Sequence, residues 1–427
     1  MRGPRPVKIL FVHQNFPGQF AHLAPVLAAD PRNEVVALRM TREAVNSWKD
    51  VRIVPYHPTR SSTPAIHPWV VDFETKAIRA EAAFHACLKL QQSGFQPDVI
   101  ISHPGWGESL FVKDVWPDAP LGIYCEFFYR SRGADTGFDP EFPDTGVTEP
   151  CRLRLKNTNN LLHFDIAQAG IAPTYWQAST FPDSFREKIT VVHDGIDTAK
   201  VAPNPSATLK IKTAAGERIF TRNDELITFV NRNLEPYRGY HQFMRALPAI
   251  LAARPNAHVA LVGANDVSYG ARPSGNRTWK EIFLREVRDR LDLNRVHFLG
   301  QIPYPDFLSL LQVSTVHVYL TYPFVLSWSL LESMSAGCAI VASDTAPLKE
   351  AIVQGETGRL VDFFSPEQLA AETIALLGDS AARARLGANA RAFAIETYDL
   401  KTVCLPRQIA WVQQLARSQP DGGVLSL

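Results

Sequence analysis

An α/β protein of two doubly wound parallel-sheet units in tandem is what this sequence predicts, on three observations. The chain has 427 residues, more than the roughly 250 to 300 at which a single hydrophobic core stops growing. Short β-branched apolar runs alternate with longer segments of helical period, the pattern of a parallel sheet covered by helices on both faces. That alternation stops once, in a stretch rich in Pro, Ala and Asn, and then starts again.

In the first half the predicted strands are 7–13, 34–38, 52–55, 98–103, 121–126 and 165–171. Around Asp183 the chain reads PDSFREKITVVHDGIDTAKVAPNPS, a strand, a Gly turn and a linker, and the domain boundary is placed here. The second half repeats the grammar with strands at 226–230, 258–262, 296–299, 316–320 and 339–342. The expected domains are 1–197 and 198–395, with 396–427 a C-terminal helix and tail that packs back toward the first domain and frays from Ser418 to Gly423. No period of 20 to 50 residues recurs, which sets solenoids aside.

Composition excludes several classes. Hydrophobic residues make up 46% and charged residues 20%, and 44 Lys and Arg against 43 Asp and Glu give a net charge of +1. Disorder and a nucleic-acid-coating surface are therefore not expected. No apolar run approaches the length of a membrane span, and the start MRGPRPVKILFVHQ passes from a short basic tail straight into a strand, so no signal peptide is expected. Cys87, Cys125, Cys151, Cys338 and Cys404 are odd in number and scattered, suggesting neither a disulfide framework nor a zinc site and making the cytoplasm the default location.

In open α/β sheets ligands bind beyond the carboxyl ends of the strands, and two such units facing each other would form a cleft. The segment Asn231 to Gly239, between a strand and a helix beginning near Tyr240, carries Arg232 and Arg238. Two guanidiniums beside Gly239, which lets backbone approach a ligand, suit a pyrophosphate; the competing reading pairs both with Glu235. Further on, Ser327 is a predicted N-cap, with Ser329 in the first turn of a helix from Trp328 that would aim its positive end at an anion. Glu332, about one turn later among Leu330, Leu331 and Met334, demands a partner, and a ribose diol fits.

In the first half, His103 with Gly105, Trp106 and Gly107 follows a strand end and could contact a sugar or pyrophosphate, or could be a satisfied loop histidine. Glu126 is a further candidate. The loop His13 to Gln19 offers Gly18 ahead of a helix, with His13 either exposed to ligand or buried at the strand end. Asp344 and Glu350 read as an N-cap and a solvated helix acid. No G-x-G-x-x-G follows a strand and no P-loop is present, which removes the case for a dinucleotide oxidoreductase or a P-loop phosphotransferase.

Arg232 with Arg238-Gly239, Glu332 through Gly337, Ile340 to Asp344, Glu350 with Gly355-Glu-Thr-Gly358, and the stretch VVHDGID (Val191 to Asp197) together resemble the retaining family 4 glycosyltransferases of the GT-B fold. FVHQNFPGQFAHLAP fits that family's first strand and acceptor loop, so the resemblance covers nearly the whole chain. It implies two Rossmann-like domains facing across a cleft, the first binding acceptor and the second nucleotide-sugar, with C-terminal helices. One departure stands out. Eight residues before Glu332, where the family carries a Glu that contacts the donor sugar, this chain has Phe324, and Val325 and Ser327 replace two usual glycines. The departure bears on donor sugar identity and on activity itself.

The expected function is retaining transfer of a sugar from a nucleoside-diphosphate sugar to an acceptor hydroxyl in glycan or glycoconjugate biosynthesis. No metal is expected, since no Asp-x-Asp occurs, and no cofactor beyond the donor substrate. Arg232, Arg238 and His103 are the expected catalytic residues; Gly18, Gly239, Ser327, Ser329 and Glu332 are the expected donor-binding residues, Glu332 as the ribose ligand by resemblance. The acceptor could be a glycan, a lipid-linked sugar, a protein or a small molecule, and Arg152, Arg154 and Lys156 could steer an anionic acceptor or touch a membrane surface. The alternatives are a degenerate partner subunit, a sugar-nucleotide epimerase, and synthase or phosphorylase chemistry on the same fold.

Overall fold

A computed structural model describes residues 7–143, 146–213 and 216–418, so the tail expected from Ser418 to Gly423 lies almost wholly outside the described residues. The chain divides into two compact units, 1–194 with 401–427, and 195–400.

The first unit holds strands β1 (Lys8–Val12), β2 (Glu34–Met40), β3 (Ser47–Trp48), β4 (Val51–Tyr56), β5 (Val99–Ser102), β6 (Leu121–Tyr124), β7 (Ala169–Ala172) and β8 (Ile189–Val191). They form one sheet in the order β3-β4-β2-β1-β5-β6-β7-β8, parallel throughout except for the short β3. Successive side chains of a strand face opposite ways, and both faces are buried. Leu10, Val12, Val36, Leu38 and Ile100 enter one core, while Ile9, Phe11, Val35, Ala37, Val99 and Ile101 enter the other. Near-continuous apolar runs follow from burial on both faces. The C-terminal helix Leu405–Arg417 covers the second face with Trp411, Val412 and Leu415, against which Gly122 leaves no room for a Cβ.

The second unit holds β9 (Leu209–Thr213), β10 (Gly216–Phe220), β11 (Leu226–Asn233), β12 (His258–Ala264), β13 (Val296–Gly300), β14 (Val316–Tyr319), β15 (Ile340–Ser343) and β16 (Arg359–Val361). Six form a parallel sheet in the order β13-β12-β11-β14-β15-β16, with β9 and β10 an antiparallel pair apart. The reversal of strand order beside β11 makes the carboxyl ends of β11 and β14 the switch point, where such sheets bind ligands.

The structure departs from the sequence reading in places. The predicted strand at 165–171 begins as a helix, Thr158–Ile166, because its apolar residues follow a helical period that Ala167 N–H closes onto the His163 carbonyl. The β9–β10 pair lies in what reads as linker: Leu209 and Ile211 turn into the core.

Candidate active site

In the second unit the site grows from the end of β11. The ladder shifts register between Val230 and Asn233, a short turn Pro236–Arg238 follows, and Gly239 sits at φ 68° before the helix Tyr240–Ala253. A Cβ on Gly239 would lie 2.3 Å from Leu320 Cβ, so glycine is required both for the left-handed backbone and for the approach to the end of β14. That approach carries Arg238 inward, where it is only 6% exposed. Its Nη1 donates to Thr321 Oγ1 at 2.7 Å, Tyr319 Oη at 3.3 Å and the Val325 carbonyl at 3.4 Å. All three acceptors are neutral. The pairing with Glu235 does not form: that carboxylate accepts the N–H groups of Ser268, Tyr269 and Gly270 instead. A buried guanidinium without a bonded carboxylate costs free energy unless an anion arrives. Arg232 differs, standing exposed at the strand end.

Tyr319 joins two of the expected residues. Its Oη accepts from Arg238 and also from Ser327 N–H at 3.3 Å. Ser327 caps the helix Trp328–Ser335, its Oγ accepting Ser329 N–H at 3.3 Å and lying 3.0 Å from Ser329 Oγ. Glu332 has a protein partner that the sequence does not reveal: Tyr304 donates to its Oε1 at 2.7 Å. Burial pushes the Glu332 carboxyl up, against the opposing effects of Tyr304 and Lys200. Phe324 belongs to an aromatic cluster, 5.3 Å from the Tyr237 ring and 5.0 Å from Tyr269, whose ring lies 5.2 Å from the Arg238 guanidinium. Asp344 does not cap the short turn Leu348–Glu350, since Pro347 holds the cap position; it pairs with Lys349 at 2.8 Å.

In the first unit, His13, Gly18 and His103 come together beyond β1 and β5. His13 Nδ1 accepts Asn15 N–H at 3.0 Å, leaving the Nε2 proton for Gln19 Oε1 at 2.8 Å. Burial, then neighbouring His103, lowers His13 to about 3, so the ring is neutral. Gly18 has φ 47°, and a Cβ there would come within 2.2 Å of His13 Nε2; the glycine lets the loop close over the imidazole. His103 stacks 5.2 Å from Tyr124 and 4.6 Å from Trp106, and Gly105 N–H bonds its Nδ1 at 3.2 Å. Its buried Nε2 points at Glu126 Oε2, 3.5 Å away, a long contact rather than a good hydrogen bond. Burial works to raise Glu126, yet its interaction with His103, long as it is, and the charge of His13 outweigh it and hold the carboxyl below its ordinary value. Glu126 is the accessible member of the pair. Of the three cations considered for an anionic acceptor, Arg152 pairs with Glu149 and Lys156 sits 3.5 Å above the Tyr129 ring, lowered by burial to about 8; Arg154 stays exposed.

Tyr319, Thr321 and Tyr304 are the residues that sequence reasoning misses. The first two carried a usable signal, a polar end to the apolar strand β14 at the switch point; Tyr304 carried none, since it reaches Glu332 only through helix packing.

Comparison with known proteins gives the same fold. A family model described as glycosyl transferase family 4 group matches residues 31–201, and one described as glycosyl transferases group 1 matches residues 213–393. A D-inositol 3-phosphate glycosyltransferase of Corynebacterium efficiens is 24% identical over 310 residues, 70% of this chain and 68% of that protein. A phosphatidyl-myo-inositol mannosyltransferase of Mycolicibacterium smegmatis is 30% identical over 175 residues, 40% of this chain and 41% of that protein; several other curated relatives are matched over about half their length. Among solved structures, Anabaena HepE in complex with UDP and glucose superposes with a TM-score of 0.63 at 17% identity, over 96% of this chain and 99% of that one. Sucrose-phosphate synthase from Thermosynechococcus elongatus reaches 0.67 at 17% identity, over 96% and 100%.

Two doubly wound units, with a buried arginine and a capped helix start at the switch point of the second, are those of a GT-B glycosyltransferase. The chain belongs to the family 4 glycosyltransferases. Among the described residues no helix is long and apolar enough to cross a membrane.

Proposed function

We propose that the chain transfers a sugar from a nucleoside-diphosphate sugar to an acceptor hydroxyl with retention and without a metal ion, acting in the cytoplasm in glycan or glycoconjugate biosynthesis. The observation that carries this reading is Arg238, a buried guanidinium whose hydrogen-bond acceptors among the described residues are neutral oxygens. As the bond between the anomeric carbon and the β-phosphate oxygen breaks, negative charge builds on the departing diphosphate. Arg238 holds that charge without reorganising, because Thr321 and Tyr319 already fix it, and Ser327 and Ser329 present the helix start through the same tyrosine. Arg232 closes on the diphosphate from the solvent side. Glu332 takes the ribose through Oε2, its Oε1 being held by Tyr304. The acceptor oxygen bonds the anomeric carbon on the face that the diphosphate leaves, and its proton passes to the leaving phosphate, so no strong protein base is required. In the first unit, Gly18 and the His103–Glu126 pair are assigned to contacts with donor and acceptor, the acceptor being a glycan, a lipid-linked sugar or a protein. Residues 1–197 are assigned to acceptor and 198–395 to donor.

Phe324 removes a carboxylate from the sugar pocket by resemblance and puts an aromatic face there, which favours a donor sugar with an apolar face. The test is a thermal-shift panel of nucleoside diphosphates and their sugars, since stabilisation scales with ligand over its dissociation constant. Preference for one sugar nucleotide over its bare diphosphate is expected. Binding of none would overturn the transferase reading and favour a partner subunit.

A further inference from the structure

A second place in the first unit is built for an anion. At the carboxyl ends of β2 and β4 a cavity of about 490 Å³ is walled by Arg42, His57, Arg60 and Arg79 together with Thr41 and Ser61, where the loops after both strands meet the helix Val71–Gln92. Its positive charge is largely uncompensated. Arg42 and Arg79 make no hydrogen bond or ion pair with the described residues, and Arg60 pairs with Glu81 at a long 3.7 Å, both side chains well exposed, with Glu74 also within reach of its charge. Behind Arg79 lies buried Glu108, whose carboxyl burial pushes up against the opposing charge of Arg79. A second cationic cavity, in the other unit, is lined by Arg222, Arg383 and Arg391; there Arg383 and Arg391 donate to backbone carbonyls of Leu376, Leu377, Thr198 and Val201.

Hydroxyl bonding sorts the neutral donors. Thr75 donates to the Val71 carbonyl, so the 2.7 Å contact with Ser62 uses the Ser62 proton. Thr41 Oγ1 accepts Glu43 N–H and keeps its own proton, and Ser61 makes no hydrogen bond among the described residues. Two free hydroxyl donors thus stand beside three guanidiniums, a set that matches tetrahedral anionic oxygens. An adjoining cavity of about 530 Å³ shares His57, Arg60 and Ile78 and continues along Val54, Ala82 and Leu90. A substituent on the anion has an apolar wall to lie against.

We propose that this cavity binds a phosphate ester, through Arg42, Arg60 and Arg79 with Thr41 and Ser61, as a site separate from Arg238. Binding there needs no sugar transfer; that the ester is the acceptor rests on the function proposed above. The test is isothermal titration of the purified chain with inorganic phosphate at fixed ionic strength, beside sedimentation with phosphatidylcholine vesicles with and without phosphatidic acid. Both are repeated with the Arg42→Gln, Arg79→Gln double variant, and with Arg42→Gln alone, whose exposed side chain leaves folding intact. Loss of two charge-assisted contacts is expected to weaken binding at least about ten-fold. Saturable binding of free phosphate that the variants weaken supports a soluble ester; binding confined to phosphatidic acid vesicles and weakened likewise supports a lipid headgroup. Absence of binding in both arms, or binding unchanged in the folded variants, overturns the proposal. Donor binding measured on the same preparations keeps the two readings apart, because its failure with phosphate binding intact counts against the transferase reading alone.

Discussion

At the scale of single residues, Arg238 is the sharpest commitment. Its Nη1 meets three neutral oxygens in fixed directions, so Arg238→Ala is expected to lower kcat/KM by about 100-fold to 1,000-fold, as loss of one charge-stabilising donor does elsewhere. Lysine cannot reproduce the planar fork, and Arg238→Lys should recover little of that loss in steady-state assays of sugar transfer. Arg232 is exposed and makes no hydrogen bond with the described residues, so under the proposed role a ligand has to order it. Gly18 makes a structural counterpart. At φ 47°, with His13 Nε2 2.2 Å from any Cβ, Gly18→Ala should cost about 1–3 kcal/mol in urea unfolding; an unchanged midpoint would show that the loop is free to move off the imidazole.

Elements explain why these residues are where they are. Strands β11 and β14 pair in parallel, so their carboxyl ends deliver Arg238 and Tyr319 to one place, and the helix Trp328–Ser335 starts there because Ser327 can cap it. Removing that cap should destabilise the helix by about 1 kcal/mol, and, because the lost Oγ is what orders Ser329 at the helix start, Ser327→Ala is expected to weaken nucleotide binding in the thermal-shift assay as well as stability. The helix Leu405–Arg417 works differently: its contribution is cover. Trp411 is buried against the sheet at Gly122, so Trp411→Ala should cost about 3–5 kcal/mol by leaving a cavity. A loss well under 1 kcal/mol in chemical unfolding would mean that the helix is not needed to close that face.

For the molecule as a whole, buried histidines set the response to acid. Burial lowers His13, His193 and His317 to about 3 and His163 to about 4. Each binds a proton in the unfolded chain near pH 6.5 but not in the folded one, so the unfolded state takes up more protons in between and stability rises with pH across that window. Folding is therefore expected to weaken as pH falls from 7 to 5, by on the order of 1–2 kcal/mol for each such histidine. Urea midpoints at pH 5, 6 and 7 check this, and a flat profile would contradict it.

Much of this was legible in the sequence. Period-2 and period-3.6 patterning, with a break near residue 183, predicts two doubly wound units, because burial on both faces of a parallel sheet leaves continuous apolar runs that survive in one dimension. Gly18, Gly239 and the Ser327 cap are equally readable, since backbone geometry and capping are local in the chain. Other features depend on residues far apart in sequence. That Arg238 is bonded by Thr321 and Tyr319 rather than Glu235, that Tyr304 meets Glu332, and that His103 aims its Nε2 at Glu126 follow from strand order and helix packing. Arg42, Arg60 and Arg79 look like ordinary surface cations until β2, β4 and a helix put them around one cavity. Local chemistry chose the elements; long-range packing alone decided which charges were satisfied and which were left open to a ligand, because electrostatic pairing depends on distance in space and not on separation along the chain.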